Sequence, residues 1–363
     1  MIELARGMNP NRFQLSVATF YDGGALREEM AAIPGIRLYS LGKSGRWDLL
    51  TFLDRLDRLV KRDRPQVIYS ILQVANLFGL WAGQRNHARV VWGMRNSLID
   101  FSQYDWTAGA TYRLAARFSG FADRVIYNSW AAAAYHPQHG FSGSNGTVIP
   151  NGIDTQKYRP DELARQQVRT EWGIGPDEVV IGMVGRLDPV KDHPNFLRAA
   201  QIASLKFNHL RFVCAGGGDT RYLQTLCDLA VELGIQSKVI WPGTRPDMPR
   251  VYNGLDLFCS SSYSESFPNV LGEAMASQLP CVVTDTGDSA RILGDIGIIV
   301  PTRDPQALAD GLSRMLALPT AECTRLGQRA RSRIEMEFSV AAMVQRTEDL
   351  LENVVNGKMI QLR

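Results

Sequence analysis

Short apolar runs alternate with longer amphipathic runs along this chain, and the alternation limits its possible folds more than any other feature. The amphipathic run at 47–62 is the clearest, with leucines at helical spacing opposite charged residues. The short runs are rich in β-branched residues and predict strands at 13–20, 66–70, 89–92, 124–127, 147–149, 179–184, 210–215, 239–241, 255–260, 280–284 and 296–300. This order predicts an α/β protein with parallel sheets covered by helices on both faces.

A change in composition predicts where one domain ends and the next begins. The 363 residues suffice for about two or three domains. Residues 150–178 are rich in proline, glycine and charge, and the strand VVIGMVG follows them. We therefore expect a first domain at 1–165 and a second at 166–338. The last helix, within 339–363, is expected to pack back on the first domain.

The two halves of the chain differ in charge. Residues 1–150 carry 17 lysines and arginines against 11 acidic residues, whereas the remainder carries 23 against 26. The basic half suits an anionic membrane surface, a lipid phosphate or an acidic glycan, although scattered solvated arginines explain it equally well. No basic run interleaved with aromatic residues occurs, and no zinc-finger motif, so we expect no nucleic-acid partner.

Five cysteines, none in a CxxC pair, predict reduced thiols rather than disulfides or a zinc site. The most apolar stretch, 67–83, is interrupted by Ser70, Gln73 and Asn76, so no membrane span is expected. These features favour a cytoplasmic protein, and peripheral contact with the inner membrane face is compatible with them. The helix-like segment 104–121 suits such contact through Trp106 and its arginines, and a core-facing helix with snorkelling arginines is the alternative.

Residues 261–285, SSYSESFPNVLGEAMASQLPCVVTD, carry the strongest functional signal. They begin where a predicted strand ends and continue through a loop into a helix, at the sheet edge where α/β proteins bind ligands. The unpaired amides of the first helical turn favour a phosphate group. Glu265 and Glu273 lie eight residues apart and could face one ligand, or they could be a helix cap and a solvated helix residue.

A second signal lies at 179–200, VVIGMVGRLDPVKDHPNFLRAA. A predicted strand ends at Gly185, Arg186 follows in the turn, and Lys191 precedes a helix. Two cations at the mouth of a sheet suit a diphosphate leaving group, because bond cleavage leaves negative charge to be neutralised. A plain strand-loop-helix connection with surface charges is the alternative. Neither GxGxxG nor a P-loop occurs in this segment.

Together with IPNGIDTQKYRP, these two segments resemble the family 4, glycogen-synthase-like retaining glycosyltransferases. The resemblance implies the GT-B fold, in which two Rossmann-like doubly wound parallel-sheet domains face each other across a cleft. It covers nearly the whole chain. It also implies a cytoplasmic enzyme that moves a sugar from a nucleotide-diphosphate donor to a glycan or lipid-linked acceptor in polysaccharide or glycoconjugate biosynthesis, and a UDP-sugar is the expected donor.

The resemblance also implies roles for particular residues. Arg186 and Lys191 would hold the diphosphate beside Gly185, with Glu265 at the transferred sugar, and no metal or other cofactor is expected. The loop 243–247, which contains Arg245, would lie near the base. The remaining donor-binding residues would be Ser266, Phe267 and Pro268 at the sugar, Asn269 and Val270 at the phosphates, and Glu273 at the ribose hydroxyls.

Three departures from the family pattern qualify these expectations. Pro268 removes one amide donor that a phosphate could use. Arg95, followed by Asn96, stands where the family often has a histidine, and both are candidate acceptor-side residues. The first domain is also expected to lack its leading βα unit, with the predicted first strand, 13–20, corresponding to the family's second.

Other classes of protein remain open. A nucleotide-sugar-binding protein of the same fold would lack transfer because of the absent βα unit. A sugar-nucleotide epimerase of the GT-B fold would not need the paired motifs. A nicotinamide-dependent dehydrogenase would need the glycine fingerprint that this chain lacks.

Overall fold

A computed structural model describes residues 1–24, 26–45, 48–95 and 106–357 and divides the chain into two compact units. The first unit joins Met1–Gly152 to Val340–Arg363, and the second is Ile153–Ser339. The structure thus moves the first domain boundary from 165/166 to 152/153. The reason is that Ile153 bridges to Ser339, and the helix Glu162–Glu171 packs on the helix Met248–Gly254.

The first unit contains two separate parallel sheets. The small one pairs β1 with β2, and the larger has the order β3-β4-β5-β6. Its strands are β1 Ser16–Thr19, β2 Arg37–Ser40, β3 Val67–Ile71, β4 Arg89–Met94, β5 Arg124–Tyr127 and β6 Gly146–Val148. Its helices are α1 Ile2–Gly7, α2 Leu26–Ala31, α3 Leu49–Asp63, α4 Gln73–Asn86, α5 Trp106–Phe118, α6 Trp130–Gln138 and α15 Val340–Val355.

The strand β2 was not predicted from the sequence. It is four residues long and carries Arg37, so it lacks the apolar run that marks the other strands. The available signal is the alternation of Ile36 and Leu38, which pack with Val17 of β1 in a small apolar cluster. The first unit therefore begins with a helix and a small sheet.

The helix α15 packs in the first unit, against α1 and the larger sheet. Leu350, Leu351 and Val354 share one apolar cluster with Leu4 and Val91. Arg12 closes the edge of this contact, donating to the Glu348 carboxylate at 2.7 Å. At Gly7 a Cβ would lie 2.7 Å from a Val344 methyl group, so the two helices approach closely.

The second unit is a six-stranded, wholly parallel sheet of order β12-β11-β10-β7-β8-β9. The strands are β7 Val179–Val184, β8 Leu210–Ala215, β9 Val239–Gly243, β10 Leu257–Ser260, β11 Cys281–Thr284 and β12 Ile298–Val300. The helices are α7 Glu162–Glu171, α8 His193–Ser204, α9 Thr220–Glu232, α10 Met248–Gly254, α11 Asn269–Ala276, α12 Ser289–Leu293, α13 Pro305–Leu316 and α14 Thr320–Glu337. All six strands had been predicted from the sequence.

The strands of this sheet are buried on both faces, which explains their nearly continuous apolar sequences. Ile181, Phe212 and Leu257 belong to one apolar cluster that α8 and α13 cover. The order of the strands reverses at β7, because β8 lies on one side of it and β10 on the other. Ligands of doubly wound sheets bind at such a reversal, beyond the carboxyl ends of the strands.

Candidate functional site

The two sequence motifs of the second unit meet at the reversal point of its sheet. The motif at 179–200 supplies β7 and the loop after it, and the motif at 261–285 supplies the loop after β10. Because β7 and β10 are hydrogen-bonded neighbours, the two loops emerge side by side. The candidate site is built around these loops.

Lys191 and Glu265 form an ion pair that joins the two loops. The Lys191 Nζ atom lies 2.5 Å from Glu265 Oε1, and the two side chains are only 15% and 11% exposed. An ion pair removed from water to this extent fixes both groups in position, since separating them would leave a partly buried charge. The structure thus places a cation and a carboxylate together at one point of the sheet edge.

Further hydrogen bonds hold the loop after β10 against its neighbours. The Tyr263 amide donates to the Val190 carbonyl at 3.0 Å, and the Ser261 hydroxyl lies 2.9 Å from the Lys191 carbonyl oxygen. On the other side, the Asp288 amide donates to the Ser266 carbonyl at 3.0 Å. The backbone that carries Glu265 is therefore fixed from both sides.

Two glycines let the loops after β7 and β8 approach each other closely. Gly185 and Gly216 have φ angles of 158° and 151°, which residues with a side chain rarely adopt. A Cβ on Gly216 would lie 1.8 Å from the Gly185 carbonyl oxygen. Gly217 and Gly218 are also closely surrounded, since an added Cβ would lie 2.0 Å from Thr244 Oγ1 and 2.5 Å from the Leu187 carbonyl oxygen, respectively.

Arg186 and the start of α11 lie at the open side of the site. The Arg186 side chain is 79% exposed and lies 3.3 Å from Asp188, so the guanidinium stays accessible. The helix α11 begins at Asn269 after the N-cap Pro268, and Val270 lies in its first turn. An exposed arginine and the amides of a helix start can both bind phosphate oxygens.

The side chain of Phe267 fixes the segment just before α11. It is 5% exposed, and its ring lies 6.0 Å from the Phe338 ring. With this ring buried, Phe267 can face a ligand only through its backbone, whereas the Ser266 side chain is partly exposed. The family resemblance implies that the backbone of Ser266, Phe267 and Pro268 contacts the transferred sugar, and these roles stay predictions.

Glu273 is held by two tyrosine hydroxyls that the sequence analysis missed. Tyr252 of α10 donates to Glu273 Oε2 at 2.7 Å, and Tyr158 hydrogen-bonds to the same carboxylate. Burial raises the pKa of Glu273, and the two hydroxyl donors oppose that rise. Neither tyrosine stands in an apolar run of the sequence, so no local pattern marked them.

Arg245 is surrounded by carboxylates. Its guanidinium makes two hydrogen bonds of 2.8 Å to Asp247 and also binds Glu171 of α7. The hydrogen bonds from Arg245 lower the pKa of both carboxyls. Arg245 thus braces the loop after β9 in this structure, and its contact with a donor stays a prediction.

His193, which follows the Lys191 loop, is buried and neutral. It is 1% exposed, and burial, with the charge of Lys191, lowers its pKa to about 4. It cannot act as a cationic acid near neutral pH.

Of the two acceptor-side candidates in the first unit, the structure describes Arg95, and Asn96 lies outside the described residues. Arg95 follows β4 at the carboxyl edge of the larger sheet and donates to Asn151 Oδ1 at 2.8 Å. It lines a small cavity with Tyr69 and Asn128. A cation therefore stands at this edge, and its relation to an acceptor stays a prediction.

Within the residues that it describes, the structure holds neither a metal-binding cluster nor a membrane-spanning helix. In the ranges it describes, His, Cys, Asp and Glu side chains form no group that could hold a metal ion. No helix among those same residues combines the length and apolarity needed to cross a bilayer.

Both halves of the chain match known family models. Residues 1–157 match the model Glycosyltransferase Family 4, and residues 164–333 match the model Glycosyl transferases group 1. The putative glycosyltransferase EpsF of Bacillus subtilis is 27% identical over 79% of this chain and 75% of its own length. The D-inositol 3-phosphate glycosyltransferase of Nocardia farcinica is 32% identical over 58% of this chain, which spans 48% of that relative.

Solved structures share the fold over nearly the full chain. HepE of Anabaena, crystallised in complex with UDP, has a TM-score of 0.83 at 22% identity and covers 97% of this chain and 94% of its own. The sucrose-phosphate synthase of Thermosynechococcus elongatus has a TM-score of 0.76 at 18% identity and covers 98% and 92%. At these identities the likeness extends to the fold alone.

Proposed function

Because the chain belongs to the family 4 type of GT-B glycosyltransferases, we propose that it moves a sugar from a nucleoside-diphosphate donor to an acceptor hydroxyl with retention of anomeric configuration. The Lys191–Glu265 pair carries the proposal, since it joins the two motifs at the reversal point of the donor-side sheet. The alternative roles of a solvated loop cation and a helix cap do not fit side chains this deeply buried.

The proposed roles of Arg186, Lys191 and Glu265 follow from the charges of their side chains. Arg186 and Lys191 neutralise the diphosphate as the bond to the sugar breaks, so no metal ion is required for that task. Glu265 accepts hydrogen bonds from the sugar hydroxyls, and the Lys191 ammonium group interacts with both Glu265 and the phosphates. The departing diphosphate takes the acceptor proton on the same face of the sugar, which gives retention without a protein nucleophile.

A uridine nucleotide is the proposed donor, with Glu273 at its ribose. A carboxylate held by Tyr158 and Tyr252 keeps one orientation and can accept bonds from both ribose hydroxyls. The fold neighbour HepE was crystallised with UDP, which supports UDP as the first nucleotide to test.

The acceptor is proposed to be a glycan or a lipid-linked sugar in polysaccharide or glycoconjugate biosynthesis, with the reaction in the cytoplasm at the inner membrane face. The basic balance of residues 1–150 and Arg95 at the sheet edge support an anionic or lipid-phosphate acceptor. The five cysteines are free, which agrees with a reducing compartment.

A donor screen tests this proposal. Purified protein is incubated with UDP-, GDP- and ADP-sugars, and release of the nucleoside diphosphate is measured with and without candidate acceptors. We expect release from one UDP-sugar, increased by the true acceptor, with the product anomer matching the donor by NMR. Inversion at the anomeric carbon would refute the mechanism. Donor binding without any release across acceptors would favour a binding protein.

A further inference from the structure

The helix α5 carries an exposed apolar stripe along its whole length. Its buried residues are Tyr112, Ala115 and Ala116, which face the core of the first unit. On the opposite side, Trp106, Leu114 and Phe118 are 79%, 49% and 39% exposed. The three side chains and Ala110 follow one another at intervals of four residues, so they lie on one side of the helix.

The stripe continues beyond the end of α5. Phe121, in the short 3₁₀ turn that follows, is 58% exposed. Its ring centroid lies 6.0 Å from that of Phe118, so the two rings extend the same apolar surface. From Trp106 to Phe118 the helix rises about 18 Å. A continuous apolar surface of this length on a helix is more than the scattered exposed leucines of ordinary protein surfaces.

Two arginines flank the stripe. Arg113 and Arg117 are exposed, and neither forms an ion pair with any residue that the structure describes. The sequence of α5, WTAGATYRLAARF, contains no aspartate or glutamate. Some exposed arginines on other helices do have such partners, as Arg58 pairs with Asp54 and Arg325 with Glu322. The exposed face of α5 is therefore both apolar and cationic.

This geometry decides between the two sequence-based interpretations of the segment. A core-facing helix with snorkelling arginines would bury its large apolar residues and extend its arginines to solvent. In the structure only Tyr112 of the large side chains is buried, and Trp106, Leu114 and Phe118 share the solvent face with the arginines. Burial in the core does not account for the stripe.

We infer that α5 lies flat on an anionic lipid bilayer. A helix with an apolar stripe, an aromatic residue at each end and arginines beside the stripe suits the bilayer interface, where apolar side chains enter the acyl region and guanidinium groups bind lipid phosphates. The unpaired positive charge selects an anionic lipid surface over a neutral one. This docking does not depend on the proposed sugar transfer, because it concerns a different surface and is measured by binding.

Vesicle flotation with the full chain tests the inference. We expect binding to phosphatidylcholine vesicles that contain phosphatidylglycerol, and little binding to phosphatidylcholine alone. The double variant R113Q/R117Q should bind the anionic vesicles about 25-fold more weakly, at about fivefold for each arginine. The double variant L114S/F118S should lose about tenfold or more. Brominated acyl chains should quench the fluorescence of the parent protein, and less so that of W106F.

Matched variants in the second unit serve as controls. L163S/L205S replaces two leucines that are 64% and 76% exposed, and R221Q/R314Q removes two exposed arginines. Both should bind vesicles like the parent. Equal losses in control and α5 variants, or binding that neither α5 variant weakens, would overturn the inference. So would a dimer in solution that L114S/F118S dissociates, because a second copy would then cover the stripe.

Discussion

At the scale of single residues, the site depends on groups whose charge or hydrogen bond is held in place by a neighbour. Lys191 is held by Glu265, and Glu273 by two tyrosines. Arg186 forms an ion pair with Asp188 and stays largely exposed. Under the proposed function, Lys191 and Glu273 would thus be preorganised for the donor, whereas Arg186 would gain most of its order when phosphate binds.

Lys191→Ala should lower turnover by about two orders of magnitude or more, because it removes one preorganised positive charge that stabilises the leaving diphosphate. The measurement is steady-state release of the nucleoside diphosphate. Lys206→Ala, which removes a lysine that is 53% exposed, should leave turnover unchanged. Since the first variant also leaves Glu265 unpaired, its thermal unfolding is recorded in parallel. Near-parental turnover in a folded Lys191→Ala protein would exclude Lys191 from the phosphate site.

Glu273→Ala should raise the donor KM with little change in kcat, as expected for a group that binds ribose equally in the ground and transition states. Tyr252→Phe should act in the same direction, about tenfold, because the carboxylate loses one donor that orients it. Tyr127→Phe is the matched control, since its buried hydroxyl has no hydrogen-bond partner among the described residues. A loss confined to kcat in Glu273→Ala would contradict the ribose assignment.

At the scale of the elements, the site depends on how closely loops of neighbouring strands approach each other. The loop after β7 reaches the loop after β8 through Gly185 and Gly216, and it reaches the loop after β10 through Val190 and Tyr263. The position of Lys191 is therefore fixed by backbone contacts on both sides of β7.

Gly216→Ala should destabilise the second unit by more than about 3 kcal/mol, because the new methyl group would overlap the Gly185 carbonyl. Gly234→Ala is the control, because it measures the cost of backbone strain without a steric clash. Gly234 also has a positive φ, 67°, but nothing lies within 4 Å of its added Cβ, so about 1–2 kcal/mol is expected. Denaturant midpoints give both values. Equal effects would show that the close approach at Gly216 contributes nothing.

Apart from β2, the strands, their parallel arrangement and the two site motifs could be predicted from the sequence, because apolar runs and motif spacing are local features. The strand β2 could not, since its four residues bury little and depend on pairing with β1. Tyr158 and Tyr252 were missed for a related reason. They reach Glu273 from segments distant in the chain, and such contacts leave no local pattern. The boundary at 152/153 likewise depends on the long-range pairing of Ile153 with Ser339.

At the scale of the whole molecule, the first unit is assembled from both ends of the chain. Its apolar cluster draws Leu4 and Met8 from the start, and Leu350 and Val354 from α15. The second unit is one continuous segment. The stability of the first unit therefore depends on a helix that follows the second unit in sequence.

Leu350→Ala should destabilise the first unit by about 2–5 kcal/mol, because truncating this side chain, which is 2% exposed, leaves a cavity in the apolar cluster. Hydrogen exchange should show weaker protection of the amides in β3–β6 and unchanged protection in β7–β12. Met336→Ala is the control, since Met336 is 71% exposed on α14. Equal loss of protection in both units would contradict separate cooperative units.

The discontinuous first unit also determines the order in which the chain can fold during synthesis. The ribosome makes residues 1–152 first, but their partner α15 emerges only after all of the second unit. At ordinary elongation rates, translation of the intervening segment of about 190 residues takes about 10–40 s. During that time the side chains that α15 later covers, such as Val91 and Ile126, lack their partner. The second unit can therefore complete its fold first, while the nascent first unit offers an apolar surface to chaperones.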